Sequence, residues 1–574
     1  MLFGLHIADF IALGLYFLLI TGIGVYLAKK VHTMTDFFMP RKYGKTMLLF
    51  HAFGTGSHSD QAVSVAAKSY TNGMSGIWYQ WVWLFVSPFY WLLAPILRRF
   101  RCITTSDVYE LRYNRSVAVL FAVVGTLSLA YGMGMMLRGT SEVITGVAGF
   151  KDPMYTNYVI GIMTVLFVIY GAAGGMSAAV VTDFIQGILT ILFSFMLLPS
   201  ILHAVGGFAG MRATIDNPEM FSLIAPTEIT LFYICVVAFN NLVAIVAYPN
   251  FIGNVGPSKT EMDSRVAQMG GSIVKRICTV AWSITGLAAL AYYSAPATAK
   301  VVNPDHIYGM VAQDFLPNIM PGLVGLFLAS MLATVMASCD SFMVCSSGLF
   351  TENVYKPVFK DKSQRHYVWV GRISSVIIVA IGIFFAYVMK DVRTMLEIFW
   401  KISPSMGVAF WLGFFWRRAT VAGAWASTLA GFAAWLLTTM DGFINLVASL
   451  PFADALGLIF MKGDNPTIYL PWQMLFYISV GIIAGIAVSL FTRPVSEDKL
   501  EKFYGLVRTP VYKGEVIDEP LSLPQGMEYA PRRPLFRLRN FEIMKPSRIS
   551  MIGFGVGWAI VILFIFGCYA IVNL

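Results

Sequence analysis

Apolar stretches recur along the whole chain, and fourteen of them are long enough to cross a bilayer. They fall at 5–28, 46–69, 74–97, 116–148, 155–173, 177–204 and 229–253, then at 273–295, 321–355, 368–389, 395–416, 419–440, 468–491 and 551–572. The pattern predicts an all-α integral membrane protein of about fourteen transmembrane helices. Two spans break their own periodicity: FHAFGTGSHSDQAVSVAAK near 50–68 and ICVVAFNNLVAIVAYPNFIGN near 234–254 carry Gly, Pro and polar side chains at membrane depth. Irregular backbone is tolerated there only against protein or a watery cavity. One broken helix in each half of the chain, five spans apart, predicts inverted repeats around a central binding site.

A third stretch, SMLATVMASCDSFMVCSSGLFTENVY at 330–355, keeps hydroxyls where lipid would demand Leu or Val. At 100° per residue Thr334, Ala337, Ser338 and Ser341 share one stripe, with Asp340 on its flank. Such a stripe reads either as close helix packing with hydroxyls bonding across, or as a site for a hard cation, which Ser and Thr oxygens suit.

Of the 574 residues 57% are hydrophobic and 13% charged, which no soluble globular class matches. The net charge of +10 resides in alternate loops. One set holds Lys29, Lys30, Arg41, Lys42 and Lys45, then Arg98, Arg99, Arg101, Arg112 and Arg115, then Lys259, Arg265, Lys275 and Arg276, then Lys356, Lys360, Lys362, Arg365 and Arg372, then Arg417 and Arg418. The other set is nearly devoid of Lys and Arg, so the positive-inside rule puts the first set in the cytoplasm and both termini outside. The charge is therefore accounted for without nucleic acid. The first span has Asp9 near its start and no basic residue before it, unlike a cleaved signal peptide. Six scattered cysteines suggest neither a disulfide framework nor a zinc site. The polar segment 493–550 repeats proline and reads as an irregular cytoplasmic connector, with Arg532, Arg533, Arg537 and Arg539 available to anionic lipid. No GxxxxGK[ST], HExxH or GxSxG pattern occurs, so neither ATP-driven transport nor hydrolytic catalysis has a visible engine.

Four stretches resemble the sodium:solute symporter family: ITTSDVYELRYNRSV at 103–117, GAAGGMSAAVVTDFIQG at 171–187, the 330–355 helix with the VGRISS that follows it, and AKSYTNGMSGIWYQ at 67–80, the last nearest to sugar and sugar-acid transporting members. The resemblance implies a leucine-transporter-like 5+5 core whose first and sixth helices are broken. Residues 1–45 would form an extra helix and loop, 46–204 and 205–418 the two inverted repeats, 419–492 two accessory helices, 493–550 the connector and 551–574 a last helix.

It also implies roles. A sodium ion would meet backbone carbonyls of Gly54, Ser57 and Thr334 and side chains at 337 and 338, where Ala337 departs from the family's hydroxyl and leaves Ser338 alone. A second cation position would use Asp183 with Asp340 and Ser341, unless Asp183 only caps a helix start after the GG turn. His58, Gln61, Gln80 and Asn241 would line the substrate pocket, with Asp60 and Asn240 beside them; amides and an imidazole suit a hydroxyl-rich or zwitterionic solute. Arg138 with Glu142, and Lys401 with Glu397, are spaced to pair along their helices. The function so implied is sodium-coupled symport of a small polar solute, a sugar or sugar derivative, across the plasma or inner membrane. Na+ would be the only cofactor, and no obligatory protein partner is evident. The alternatives are a proton-coupled carrier using Asp183 and Asp340, and a solute sensor that no longer transports.

Overall fold

The computed structural model describes residues 5–29, 37–148, 153–225, 228–300, 302–389, 391–462, 465–517, 519–536, 538 and 540–573. Lys30, Arg537 and Arg539 lie outside the described residues, as do the side chains of residues 171–174.

The first helix, Ile7–Ala28 (α1), opens with a capping box: Asp9 accepts from the backbone of His6, whose ring accepts from Ala8. Asp9 also accepts from the Gly325 amide at 2.8 Å, where a Cβ on Gly325 would fall 2.3 Å from the Asp9 backbone. The acid near the N-terminus thus staples α1 to the central helix described below.

The first broken span is Lys45–Gly56 (α2) and Ser59–Asn72 (α3), separated by Ser57 and His58 in extended conformation (φ −126° and −132°). Ser87–Arg99 (α4), Thr105–Arg112 (α5), Arg115–Ala148 (α6) and Pro153–Met196 (α7) follow. Helix α7 is two helices joined at Gly175 (φ 59°, ψ −159°), where a side chain would meet Phe37 at 2.6 Å. Only glycine takes that conformation without cost, which explains the GG of the 171–187 motif. The second broken span is Leu231–Ala244 (α8) and Asn250–Val255 (α9), interrupted by a single turn at Ile245–Ala247 and by Tyr248 in extended conformation ahead of Pro249. A residue before proline is pushed out of the helical region, so the sequence itself sets this break.

Helix Glu261–Ser294 (α10) packs on α2, α3 and α4. After an excursion containing Ile307–Phe315 (α11), Leu323–Gly348 (α12) runs through the centre of the protein against α1, α2, α6 and α7. Nearly every residue of α12 is buried, whereas α1 turns most of its surface outward. Helices Gln364–Val388 (α13), Val392–Phe415 (α14), Val421–Leu437 (α15), Asp441–Ala448 (α16), Leu470–Phe491 (α17), Glu497–Arg508 (α18) and Arg548–Val572 (α19) complete the chain.

The expected all-α membrane architecture holds, and three details refine it. Among the described residues ten helices are long and apolar enough to cross a membrane, or eleven if α15 and α16, bent by 76°, form one span. The count differs from fourteen because the second and third expected spans join into one run over Ser59–Arg99, Leu231–Ala247 is too short to qualify alone, α15 and α16 are bent apart, and the expected span 155–173 includes side chains outside the described residues. One short antiparallel hairpin, Ile459–Lys462 (β1) with Asn465–Ile468 (β2), stands between α16 and α17 of the helical fold. The connector is not wholly irregular either. Its helix α18 buries Leu500, Phe503, Tyr504 and Val507, an i, i+3, i+4, i+7 face. Three of its charges are engaged by protein: Glu515 accepts from Arg101 at 2.8 Å, and Glu542 accepts from Arg417 at 2.7 Å and pairs with Arg532 at 3.1 Å.

Candidate functional site

The break between α2 and α3 leaves backbone carbonyls without helical donors, and α12 delivers a side chain to them. Ser338 Oγ donates to Gly54 O at 2.9 Å, sharing its proton with Thr334 O at 3.3 Å. Gly54, Thr334 and Ser338 are thus in one niche. The Ser57 hydroxyl is buried and has no hydrogen-bond partner. Ala337 contributes no oxygen: a Cβ placed on Gly54 would lie 3.4 Å from the Ala337 Cβ and 3.6 Å from that of Asp183. Gly54 therefore lets α2, α7 and α12 meet closely.

Asp183 lies eight residues beyond the Gly175 kink, in the body of its helix rather than at its start, so it is not a helix cap. Its partner is an imidazole rather than the second carboxyl expected: His51 Nδ1 sits 2.6 Å from Asp183 Oδ2, both side chains being fully buried. One turn on, Thr55 Oγ1 lies 3.1 Å from Ser341 Oγ. Asp340 is buried on α12. Tyr16 of α1 stands within electrostatic reach of both Asp340 and Asp183, its hydroxyl accepting from Gln186 at 3.2 Å. Among the described residues no group of three His, Cys, Asp or Glu is placed to hold a metal. The oxygens on offer are carbonyls and hydroxyls with single carboxylates, a donor set for a hard monovalent cation rather than a transition metal.

Beside this niche is a cavity of about 120 Å³ bounded by both breaks, α10, α12 and α14. His58, Gln61 and Gln80 line it; Asn241 does not. Asn241 is buried with neither amide atom hydrogen-bonded, and its neighbour Asn240 donates to Trp400 O at 3.1 Å. Asp60 stands behind the wall and holds the His58 ring. Trp83, Tyr248, Phe399 and Trp400 supply aromatic surface.

Two functional candidates sit where sequence reasoning had no reason to look. Lys275 and Arg276, counted above with the cytoplasmic loops, are buried in α10 and line the cavity. The helix begins at Glu261, twelve residues before the apolar window, and so carries both charges into the protein. His51 was hidden in an apolar run, although an ionisable group at membrane depth is a functional signal by default. Arg138 is not at the cavity: it pairs with Glu142 at 2.6 Å, and Glu142 with His306 at 2.7 Å. Lys401 donates to Gln473, and Glu397 accepts from Tyr79.

Two broken helices facing each other across a polar cavity, with a hydroxyl-lined niche at one break, define a secondary solute carrier rather than an enzyme. The chain belongs to the sodium:solute symporter family, whose sequence profile matches residues 37–431. It is 25% identical over 450 residues to the osmoregulated proline transporter OpuE of Bacillus subtilis, covering 75% of this chain and 89% of that one. It is 24% identical to the sodium/glucose cotransporter of Vibrio parahaemolyticus, covering 86% and 92%. Among solved structures, a Na+-coupled sialic acid symporter in a substrate-bound outward-open state matches with a TM-score of 0.71 at 17% identity, covering 86% of this chain and 99% of that one, which establishes the leucine-transporter-like fold. The protein is a multi-pass membrane transporter that couples a small solute to sodium.

Proposed function

We propose that sodium binds at the α2 break through the carbonyls of Gly54, Ser57 and Thr334 and the hydroxyl of Ser338, and drives symport of a small polar organic solute, a sugar or sugar derivative, held in the adjoining cavity. The observation that carries this reading is the Ser338 hydroxyl closing on Gly54 O, since a carbonyl pair and a hydroxyl converging at a helix break make the start of a hard-cation shell. Sodium there bridges α2 to α12 and so favours the conformation in which His58, Gln61 and Gln80 meet solute. Each ligand shifts the same equilibrium, and the coupling is reciprocal. Asp183, Ser341 and Asp340 form the second cation position. Ala337 removes one oxygen from the first, so more of the cation chemistry falls on the second. Both termini lie outside, a reading supported by the alternation of loop charge.

A second reading, proton coupling, is favoured by the His51–Asp183 contact, because an imidazole beside a carboxylate can share a proton as readily as it can wait for a cation. Thermal unfolding of the purified protein, with choline replacing sodium at constant ionic strength, separates the two. A ligand that binds the native state raises its stability. Sodium coupling predicts a melting temperature that climbs with sodium and not with choline; a melting temperature that ignores sodium and follows pH overturns it in favour of protons.

A further inference from the structure

The cavity holds more positive charge than its surroundings neutralise. Lys275 and Arg276 both line it, 8% and 3% exposed, and no Asp or Glu is among the lining residues. Lys275 Nζ donates to Gly56 O at the end of α2, and Arg276 Nη1 donates to Gln80 O. Both are neutral acceptors. Arg276 Nε is buried with no hydrogen-bond partner. Among the described residues neither cation has a carboxylate within ion-pair distance. The one acid close enough to Lys275 to influence it is Asp60, whose carboxylate is already engaged by His58. Arg276 is the firm charge of the two, since a guanidinium stays protonated, and with no carboxylate partner it is a buried positive charge, costly unless something completes it.

The remaining polar atoms specify the rest of that something. The amide oxygens of Gln61 and Gln80 line the cavity, are buried and have no partner. They match solute hydroxyls, which can donate to an amide oxygen. At about 120 Å³ the space lies below the roughly 300–1,000 Å³ of pockets for drug-sized ligands.

Resting on the symport reading above, the geometry points to a substrate that is a small hydroxylated carboxylate, its carboxylate held by Arg276 and Lys275 and its hydroxyls by the glutamines. Guanidinium is the side chain best shaped for a carboxylate. Both cations also tie to the carbonyls at the broken helix and at Gln80, so an anion drawing on them tugs on the backbone that frames the sodium niche. Arg138, another arginine at membrane depth, is already occupied by Glu142.

Matched pairs test the assignment: lactate against lactamide, glycerate against glycerol, glucuronate against glucose, each titrated calorimetrically into the full-length protein in sodium-containing, chloride-free buffer. At least one acid is expected to bind ten times or more tightly than its neutral partner. Arg276→Gln is expected to weaken that acid tenfold or more, with Arg276→Lys intermediate, while sodium still raises the melting temperature of both variants. Neutral members binding as tightly as the acids overturns the assignment, as does an acid whose affinity is indifferent to Arg276→Gln, or no acid binding at all while sodium still stabilises. Loss of the sodium effect itself in the unmodified protein would instead overturn the symport reading. Should Arg276→Gln fail to fold, the comparison of acid with neutral solute in the unmodified protein decides alone.

Discussion

Replacing Ala337 by Ser tests the cation niche by adding to it. In this chain position 337 faces Gly54, whose missing side chain leaves room: a Cβ built there has as nearest neighbours Ala337 Cβ at 3.4 Å and the Asp183 side chain at 3.6 and 3.8 Å. These are ordinary contact distances, so the space left by the missing Gly54 side chain is where an oxygen added at 337 would project. A hydrogen bond or ion contact to a charged partner contributes about 1.5–3 kcal/mol, and each 1.4 kcal/mol is about tenfold in affinity. Allowing for the serine's competing bond to its own helix, Ala337→Ser should lower the sodium concentration for half-maximal stabilisation by roughly tenfold. The companion change runs the other way. Ser338→Ala removes the hydroxyl that donates to Gly54 O at 2.9 Å and leaves that carbonyl with the Ser57 amide at 3.2 Å, costing about 0.5–1.5 kcal/mol of stability for the lost hydrogen bond and weakening sodium by roughly tenfold. The assay is thermal unfolding across a sodium series at constant ionic strength. Unchanged sodium affinity in a well-folded Ala337→Ser variant would refute the placement of the ion at this break.

Other parts of the structure make their own predictions. Glu515 is nearly fully buried between Arg101 and Arg98, so Glu515→Gln should cost roughly 3–5 kcal/mol by leaving buried guanidinium uncompensated, read as a fall in melting temperature and as faster proteolysis of the connector. At Gly139 a Cβ would sit 2.4 Å from that of Asp60; Gly139→Ala must push α3 off α6 at a cost of about 1–3 kcal/mol, and should abolish uptake even where the protein still purifies, because α3 carries Gln61. Burial raises the carboxyl of Asp305, in the loop before α11, to about 6, against the opposing charges of Arg393 and His306 and with support from Asp391 and Glu142. A raised carboxyl binds its proton more tightly in the folded state, so its contribution is present below the ordinary carboxylate range and is lost as pH rises through about 6. Asp305→Asn should flatten the pH dependence of the melting temperature between about 4 and 6, and an unaltered slope would contradict the assignment.

The breaks in α2–α3 and α8–α9 were legible because Gly, Pro and amides at membrane depth admit few alternatives, and α12 was legible because its hydroxyls had no business facing lipid. Much of the site was not. His51 and Asp183 lie 132 positions apart, and nothing along the chain announces that an imidazole in an apolar run will meet that carboxylate. Lys275 and Arg276 were misplaced for a definite reason: they stand at the very edge of the apolar window 273–295, where a charge is naturally counted with the preceding loop, whereas α10 starts at Glu261 and puts both in mid-helix. The connector misled in the opposite direction. Its prolines hid a twelve-residue amphipathic helix, and of the arginines available to anionic lipid Arg532 is instead paired with Glu542.

The most direct measurement is solute accumulation by proteoliposomes containing the protein, presented with the same panel of acids and their neutral partners, with lumenal solute quantified by mass spectrometry. With an inward sodium gradient at equal pH on both sides, at least one solute should accumulate above its external concentration, and the gain should vanish when choline replaces sodium and require roughly tenfold more sodium when Ser338 is changed to Ala. Accumulation that persists without sodium and is driven instead by an inward proton gradient would contradict the account.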